Sequence, residues 1–220
     1  MKRLVALLFL CSVFGVACNL SIAGCRNTTN LPPNVLFRDD FSNSSCGWDS
    51  ARSDDGSTGY DNGTYHITVH KTQYDMWGNT NSKLNFNDAH IEVDATRNSG
   101  PDTGDFGIIC RYQDTNNFYQ FMATSDGYYG ILVVKGGTQT ELASSDAKLQ
   151  QTGTINKGAT AKNHLRADCV GNTLTLYING TQVASVNDST FSSGDVGLFA
   201  GTFNEPDSDF SFDNFEVQKP

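Results

Sequence analysis

Residues 105–135 constrain the fold of this chain more than any other stretch. They contain three runs rich in aromatic and β-branched residues, at positions 106–112, 118–123 and 128–134. The segments between these runs, QDTNN and SDG, consist of residues that favour tight turns. Short apolar runs separated by turn residues are typical of antiparallel strands that follow one another in a sheet. The stretch therefore predicts a three-stranded antiparallel meander.

The first strand of this meander is predicted to be covered on both of its faces. Side chains alternate along a strand, so its residues divide into two sets. One set is Phe106, Ile108, Cys110 and Tyr112, and the other is Gly107, Ile109 and Arg111. Both sets are mostly apolar, which predicts a central strand with protein on either side.

The remainder of the chain fits an all-β domain. The 220 residues include 21 Gly, 14 Phe and 8 Tyr. From residue 35 onward, short apolar runs and Gly, Asn, Asp or Ser turns alternate, giving roughly a dozen strands at the spacing of a sandwich. The sequence predicts one folded domain over residues 35–220.

A family resemblance is carried by three short segments of the meander, CRYQD, NFYQF and DGYYGI. Together with LRADCVGNTLTLYING and DSTFSSGDVGLFAGTFNEPDSDFSFDNFE, they resemble the concanavalin A-like or laminin G-like domains of secreted bacterial proteins, a group that includes 3-keto-disaccharide hydrolase domains. The resemblance implies a two-sheet antiparallel jelly-roll sandwich in which the first strand, near 35–41, pairs with the last, near 210–217. It leaves function open, because the superfamily contains lectins, glycosidases and adhesive modules.

The amino-terminal segment has the layout of an export signal. Lys2 and Arg3 precede the apolar run LVALLFLCSVFGVA, and small residues follow at Ala23 and Gly24. The sequence Ile-Ala-Gly-Cys ending at Cys25 resembles the lipobox of bacterial lipoproteins. We therefore expect a signal peptide over 1–24, lipidation of Cys25, a polar tether over 25–34, and a location in the cell envelope, on the outer side of the cytoplasmic membrane or at the cell surface. The alternatives are lipidation of Cys18 and an ordinary secretory leader.

The charge of the chain restricts its partners. Its formal net charge is -9, and no run of basic residues is present. Such a surface repels phosphate backbones and anionic lipid, so we expect no nucleic-acid partner and membrane association only through the lipid anchor.

The cysteines of the domain predict one disulfide bond. Cys110 and Cys169 both fall in predicted central strands, and export permits their oxidation. The alternative is a pair of buried thiols that do not meet. Cys46 is left without a partner or a role.

No catalytic set is identified in the sequence. Glu92 and Asp94 match the first two carboxylates of the E-x-D-x-x-E strand that the retaining jelly-roll glucanases use, but Arg97 stands in place of the final glutamate. The four histidines show no zinc-binding spacing. We therefore expect no catalytic residue, and if the protein is an enzyme, a glycoside hydrolase.

Several aromatic and charged residues are candidates for binding a sugar. Flat aromatic rings stack on the C–H faces of a pyranose, and carboxylate or guanidinium groups bond its hydroxyls. A charge in a central strand, such as Arg111, must meet solvent, an ion-pair partner or a ligand. The alternative for each aromatic is packing in the core. The candidates are Tyr74, Trp77, Glu92, Asp94, Arg111, Tyr119 and Tyr128.

Structural calcium is a further expectation. Asp39 and Asp40 in the first strand and Asp213 in the last supply hard oxygen ligands that strand pairing would bring together. The alternative is that these carboxylates are simply solvated.

These features favour a lipid-anchored carbohydrate-binding, lectin-like module outside the cytoplasm. One alternative is a glycoside-processing enzyme of the 3-keto-disaccharide hydrolase type. The other is an adhesive or scaffold domain whose partner is a protein.

Overall fold

The computed structural model of the protein describes residues 31–44, 47–80 and 84–220. The predicted signal peptide, Cys25, most of the predicted tether and Cys46 lie outside these residues. The described residues form strands and no α-helix. The strands are β1 Val35–Asp39, β2 Ala51–Ser53, β3 Gly56–Asp61, β4 Thr64–Val69, β5 Tyr74–Asn79, β6 Ala89–Ser99, β7 Asp105–Asp114, β8 Asn117–Thr124, β9 Tyr128–Lys135, β10 Thr138–Glu141, β11 Gln150–Gln151, β12 Lys162–Val170, β13 Thr173–Ile178, β14 Thr181–Asn187, β15 Asp195–Thr202 and β16 Ser208–Gln218.

The strands form two antiparallel sheets. The large sheet has nine strands in the order β14-β13-β12-β6-β16-β4-β3-β2, with β1 also paired to β16. The small sheet has seven strands in the order β10-β9-β8-β7-β15-β5, with β11 also paired to β9. The predicted two-sheet jelly-roll sandwich is confirmed.

A continuous apolar core lies between the two sheets. Alternate residues of each strand point into it, as β6 shows: Ile91 and Val93 are fully buried, while Glu92 and Asp94, which alternate with them, are only partly covered. From the small sheet, Ile108, Phe121 and Ile131 enter the same core. Burial of this apolar surface holds the two layers together.

The predicted meander is confirmed as β7, β8 and β9, which are neighbours in the small sheet. The predicted division of β7 into two faces is wrong beyond Cys110. Arg111 has a left-handed backbone, with φ of 53°, and the register of β7 against β8 shifts between Cys110 and Asp114. Because a bulge breaks the alternation, Tyr112 packs with Ile109 on the outer face and not with Cys110 in the core.

The two ends of the domain are paired, as the resemblance implies. β1 runs antiparallel to β16, with Val35 opposite Gln218 and Asp39 opposite Phe215. The amide of Lys219 also donates to the carbonyl of Asn34, at 2.7 Å.

A disulfide bond joins the two sheets. It links Cys110 of β7 in the small sheet to Cys169 of β12 in the large sheet, across 59 positions of sequence. Both cysteines are buried in the core. The predicted disulfide is confirmed.

Among the described residues there is no helix with the length and apolar character of a membrane span.

Candidate functional site

The structure distributes the predicted sugar-binding residues over three separate places. Trp77 and Tyr128 lie on the small sheet, and Tyr74 lies at the start of its edge strand β5. Glu92 and Asp94 lie on the outer face of the large sheet. Arg111 and Tyr119 are buried inside the sandwich. These seven residues therefore do not form one site.

Arg111 holds three loops together and does not face a ligand groove. Its side chain is 2% exposed. The guanidinium donates to the carbonyl oxygens of Phe191 at 2.8 Å, Gly171 at 2.7 Å and Asn87 at 3.0 Å. The carboxylate of Asp88 lies 3.6 Å away, and burial lowers the pKa of Arg111. The charge expected to meet a ligand is satisfied by the protein itself.

Tyr119 belongs to the same buried network. Its hydroxyl donates to Asp188 at 2.5 Å and accepts a hydrogen bond from the amide of Phe191 at 3.1 Å. Burial, followed by the bond to Asp188, raises the pKa of Tyr119 to about 12. Arg111 and Tyr119 therefore have a structural role inside the sandwich and do not line a ligand groove.

Glu92 and Asp94 lie on β6, beside basic side chains of the neighbouring strand β12. Lys162 and His164 each contact the carboxylate of Asp94 at 2.9 Å, and Asn214 donates to it at 2.9 Å. Burial acts to raise the pKa of Asp94, but these hydrogen bonds together lower it. A carboxyl held ionised in this way is unsuited to act as a general acid.

The structure does not bring the three predicted calcium ligands together. Asp39 is buried and accepts hydrogen bonds from the amide of Phe41 at 2.8 Å and the hydroxyl of Tyr60 at 3.0 Å. Asp40 and Asp213 accept from nearby amides in their own turns. Within the described ranges, no group of three or more His, Cys, Asp or Glu side chains is arranged to hold a metal ion.

The outer face of the small sheet carries a cluster of apolar residues that is separate from the core between the sheets. A polar outer face is the usual arrangement for a sheet that contacts only water. Trp77 packs against Phe118 with ring centroids 5.9 Å apart, and Tyr112 packs against Phe118 at 5.6 Å. The buried apolar residues of this face are Ile109, Phe118, Met122, Leu132, Val134 and Phe199. The large apolar side chains that are exposed among the described residues are Tyr128 and Phe203.

A groove of about 360 Å³ opens on this face. Its size is within the range of small-ligand sites. Trp77 and Phe203 form aromatic walls, and Phe203 also borders a second depression of about 250 Å³ that contains Tyr128. The residues that line the groove are Gln73, Tyr74, Asp75, Trp77, Asp105, Met122, Gln139, Thr202 and Phe203. The two depressions together form an aromatic-walled surface with polar groups at its floor.

Two carboxyl groups meet at the floor of the groove. Gly201 pairs with Asp75 on one side and with Asp105 on the other. A Cβ placed on Gly201 would lie 2.2 Å from Oδ1 of Asp75 and 2.6 Å from Oδ1 of Asp105. Only glycine leaves room here for the two carboxyls to approach each other.

The two carboxyls have different surroundings. Asp75 is half-buried, and its Oδ2 accepts a hydrogen bond from Nε2 of Gln120 at 3.2 Å. Asp105 is 1% exposed, and neither of its carboxyl oxygens has a hydrogen-bond partner. Burial, reinforced by the neighbouring charge of Asp75, raises the pKa of Asp105 well above its ordinary value. Burial also raises the pKa of Asp75, while the bond from Gln120 opposes that rise.

Sequence reasoning missed Asp75, Asp105, Gln120 and Phe203. One local signal was available for Asp105, which begins β7 immediately before six buried residues. A carboxyl in that position must be buried, and a buried carboxyl needs a partner.

Comparisons with known proteins give the fold. No protein-family model matches the sequence, and a search of curated proteins finds no match. The carbohydrate-binding module CBM66 from Bacillus subtilis is 20% identical, with a TM-score of 0.55 over 79% of this chain and 96% of the module. A protein of unknown function with a galectin-like fold from Bacillus subtilis is 11% identical, with a TM-score of 0.62 over 84% of this chain and 96% of its own.

The catalytic domain of an endo-1,3-beta-glucanase (laminarinase) from Thermotoga petrophila is also similar. It is 9% identical, with a TM-score of 0.57 over 84% of this chain and 97% of the domain. At such low identities the likeness concerns the fold, since one fold serves many functions. This chain has the concanavalin A-like jelly-roll fold.

Proposed function

We propose that this protein is a lipid-anchored carbohydrate-binding module outside the cytoplasm, and that the groove on the outer face of the small sheet takes the sugar. The observation that carries the proposal is the combination of half-exposed aromatic rings with convergent carboxyl and amide groups in one groove. Aromatic rings receive the C–H face of a pyranose, and carboxylates and amides bond its hydroxyls. The presence of a carbohydrate-binding module among the structural neighbours supports the same proposal.

Replacement of Trp77 by alanine is expected to weaken sugar binding by at least about fivefold, because loss of a central aromatic contact typically costs more than about 1 kcal/mol. Binding would first be located on a glycan array and then measured by calorimetry with the polysaccharide identified. Tyr177→Ala is the matched control, since Tyr177 is a half-buried aromatic of the large sheet, stacked under Arg166. Equal affinity in Trp77→Ala and Tyr177→Ala would show that the groove is not the sugar-binding site.

Lipid anchoring is tested separately on the full chain. We expect the wild-type protein, expressed in a bacterium with its own leader, to partition into the detergent phase of Triton X-114. Cys25→Ser should move it to the aqueous phase, because the acyl chains supply the membrane affinity. Cys18→Ser is the matched control and should leave partitioning unchanged. Loss of partitioning in Cys18→Ser alone would transfer the anchor to that residue.

Glycoside hydrolysis is the second candidate, and the Asp75–Asp105 pair is the observation that favours it. Hydrolysis by two carboxyls requires both groups to reach the sugar. The oxygens of Asp105 are closed off by surrounding protein, which favours binding over turnover. Release of reducing sugar by the wild type, abolished in Asp75→Asn, would reverse that preference. Neither binding nor turnover on any glycan would favour a protein partner.

A further inference from the structure

The acid pair at the floor of the groove poses an electrostatic problem. Oδ1 of Asp75 and Oδ1 of Asp105 lie 2.2 Å and 2.6 Å from the same point, the position of a Cβ on Gly201. The distance between these two oxygen atoms therefore cannot exceed the sum of the two values. Two ionised carboxylates this close in a buried site repel strongly, and such pairs retain one proton between them.

The unpartnered oxygens of Asp105 point to the same arrangement. A buried polar atom without a partner destabilises the folded state, so such atoms are rare. If Asp105 carries a proton, its hydroxyl donates to a carboxylate oxygen of Asp75 and the pair bears a single negative charge. That bond gives Asp75 a donor and gives one of the two buried oxygens of Asp105 a partner.

The surrounding amides determine which member carries the charge. Gln139 donates through Nε2 to Oε1 of Gln120, which leaves the amino group of Gln120 directed at Asp75. That donor stabilises the ionised form of Asp75. Asp75 is also the more accessible member of the pair. The charge therefore lies on Asp75, where a ligand can reach it, and Asp105 acts on the ligand only through Asp75.

The other charged groups near the groove leave this assignment in place. Glu141, opposite Leu132 on the same face, is buried, and burial raises its pKa to about 6. Lys71 lies over the ring of Tyr74, at 4.5 Å, and pairs with Asp55 at 3.7 Å. No arginine, lysine or histidine is among the described residues that line the groove.

We infer that Asp75 and Asp105 share one proton across Gly201 and form a hydroxyl-accepting point that makes the groove selective for neutral polyhydroxylated ligands over anionic ones. The choice of ligand class rests on the proposed function, whereas the shared proton does not. An accepting carboxylate bonds sugar hydroxyls well. The same negative charge, with no basic group in the groove to offset it, repels uronic and sialic acids.

The shared proton has a definite effect on stability against pH. Because the pKa of Asp105 is raised on folding, the stabilisation that it provides is complete below the pKa of the unfolded chain, near 4. That stabilisation is lost as pH rises through the folded-state pKa. Asp105→Asn keeps the shape of the protonated acid and cannot ionise, so its melting temperature should fall less than that of the wild type between pH 5 and pH 9.

Carboxyl ¹³C NMR titration of aspartate-labelled protein tests the inference without any ligand. We expect one carboxyl group to remain protonated at pH 7. Its resonance should be the one that disappears in Asp105→Asn. The exposed Asp54, in the turn between β2 and β3, provides the matched control, since Asp54→Asn should leave the pH dependence of the melting temperature as in the wild type. Titration of both Asp75 and Asp105 below pH 5, as for isolated carboxyls, would overturn the shared proton.

Ligand selectivity is tested with a neutral polysaccharide and a uronic acid polymer of the same linkage. The wild type should bind the neutral polymer at least about tenfold more tightly, and Asp75→Asn should reduce that ratio toward one. Gly201→Ala, which places a methyl group between the two carboxyls, should weaken binding of the neutral polymer. A preference for the uronic polymer would refute the selectivity, whereas absence of binding to either, with a normal NMR titration, would count against the proposed function and its ligand class alone.

Discussion

Replacement of Arg111 by methionine is expected to lower the free energy of unfolding by about 4 kcal/mol, near the top of the range for single substitutions. Methionine fills much of the volume but leaves the carbonyl oxygens of Asn87, Gly171 and Phe191 without their donors. Each buried acceptor without a donor costs about 1–3 kcal/mol. Urea unfolding followed by tryptophan fluorescence measures the loss.

Two further variants identify the cause of this effect. Arg111→Lys should recover only part of the stability, because a single ammonium cannot reach three carbonyls as the planar guanidinium does. Arg38→Met is the control for removal of a surface guanidinium, since Arg38 is half-exposed where it pairs with Glu216. Its loss should be below about 1 kcal/mol. Similar losses in Arg111→Met and Arg38→Met would show that the three carbonyls do not depend on Arg111.

Removal of the disulfide is the other change with a large expected effect. Replacing Cys110 and Cys169 together by alanine should lower the free energy of unfolding by about 4 kcal/mol, since the bond closes a long loop in the unfolded chain. The bond spans 59 positions and joins the two sheets. The measurement is urea unfolding of the oxidised wild type, the reduced wild type and the double variant.

The reduced wild type is the internal control for this experiment. Reduction should bring the wild type close to the double variant, and the double variant should not respond to reductant. A double variant as stable as the oxidised wild type would contradict the stabilisation expected from the disulfide bond. The bond lies in the core between the sheets, whereas the groove opens on the outer face of the small sheet, so the proposed sugar affinity should persist below the unfolding transition.

Strand positions and the core follow from local patterns in the sequence. The runs around Phe121 and Ile131 are separated by short turns, a pattern typical of antiparallel strands, and both residues are fully buried. The pairing of Cys110 with Cys169 is predicted from two central strands and from the expected export of the chain. These features depend on near neighbours or on a single long-range pair, which is why they can be predicted.

The face of β7 on which each residue near Arg111 lies depends on backbone geometry that the sequence pattern does not reveal. Strict alternation places Tyr112 with Cys110, but the bulge moves Tyr112 to the outer face. The same bulge allows Arg111 to reach loops that follow β12 and precede β15. Apolar periodicity assumes regular strand geometry. It therefore gives no indication of a positive φ, which is uncommon at a residue other than glycine.

The groove depends on register between strands that are distant in sequence. Asp75, Asp105 and Gly201 come from β5, β7 and β15, and only their pairing places the two carboxyls side by side. Glu92 and Asp94, in contrast, share one strand and one face, which the alternation of the sequence predicts directly. Their partners Lys162 and His164 come from β12, which the sequence does not align with them.

Pairing of β1 with β16 also determines how the domain would be presented to the large glycans proposed as its ligands. Both termini of the folded domain leave from the large sheet, and the groove opens on the opposite layer. A linker, fusion partner or solid support joined at either end therefore leaves the recognition surface unobstructed. Immobilised protein should capture long polysaccharide chains as well as short fragments, whichever end is attached.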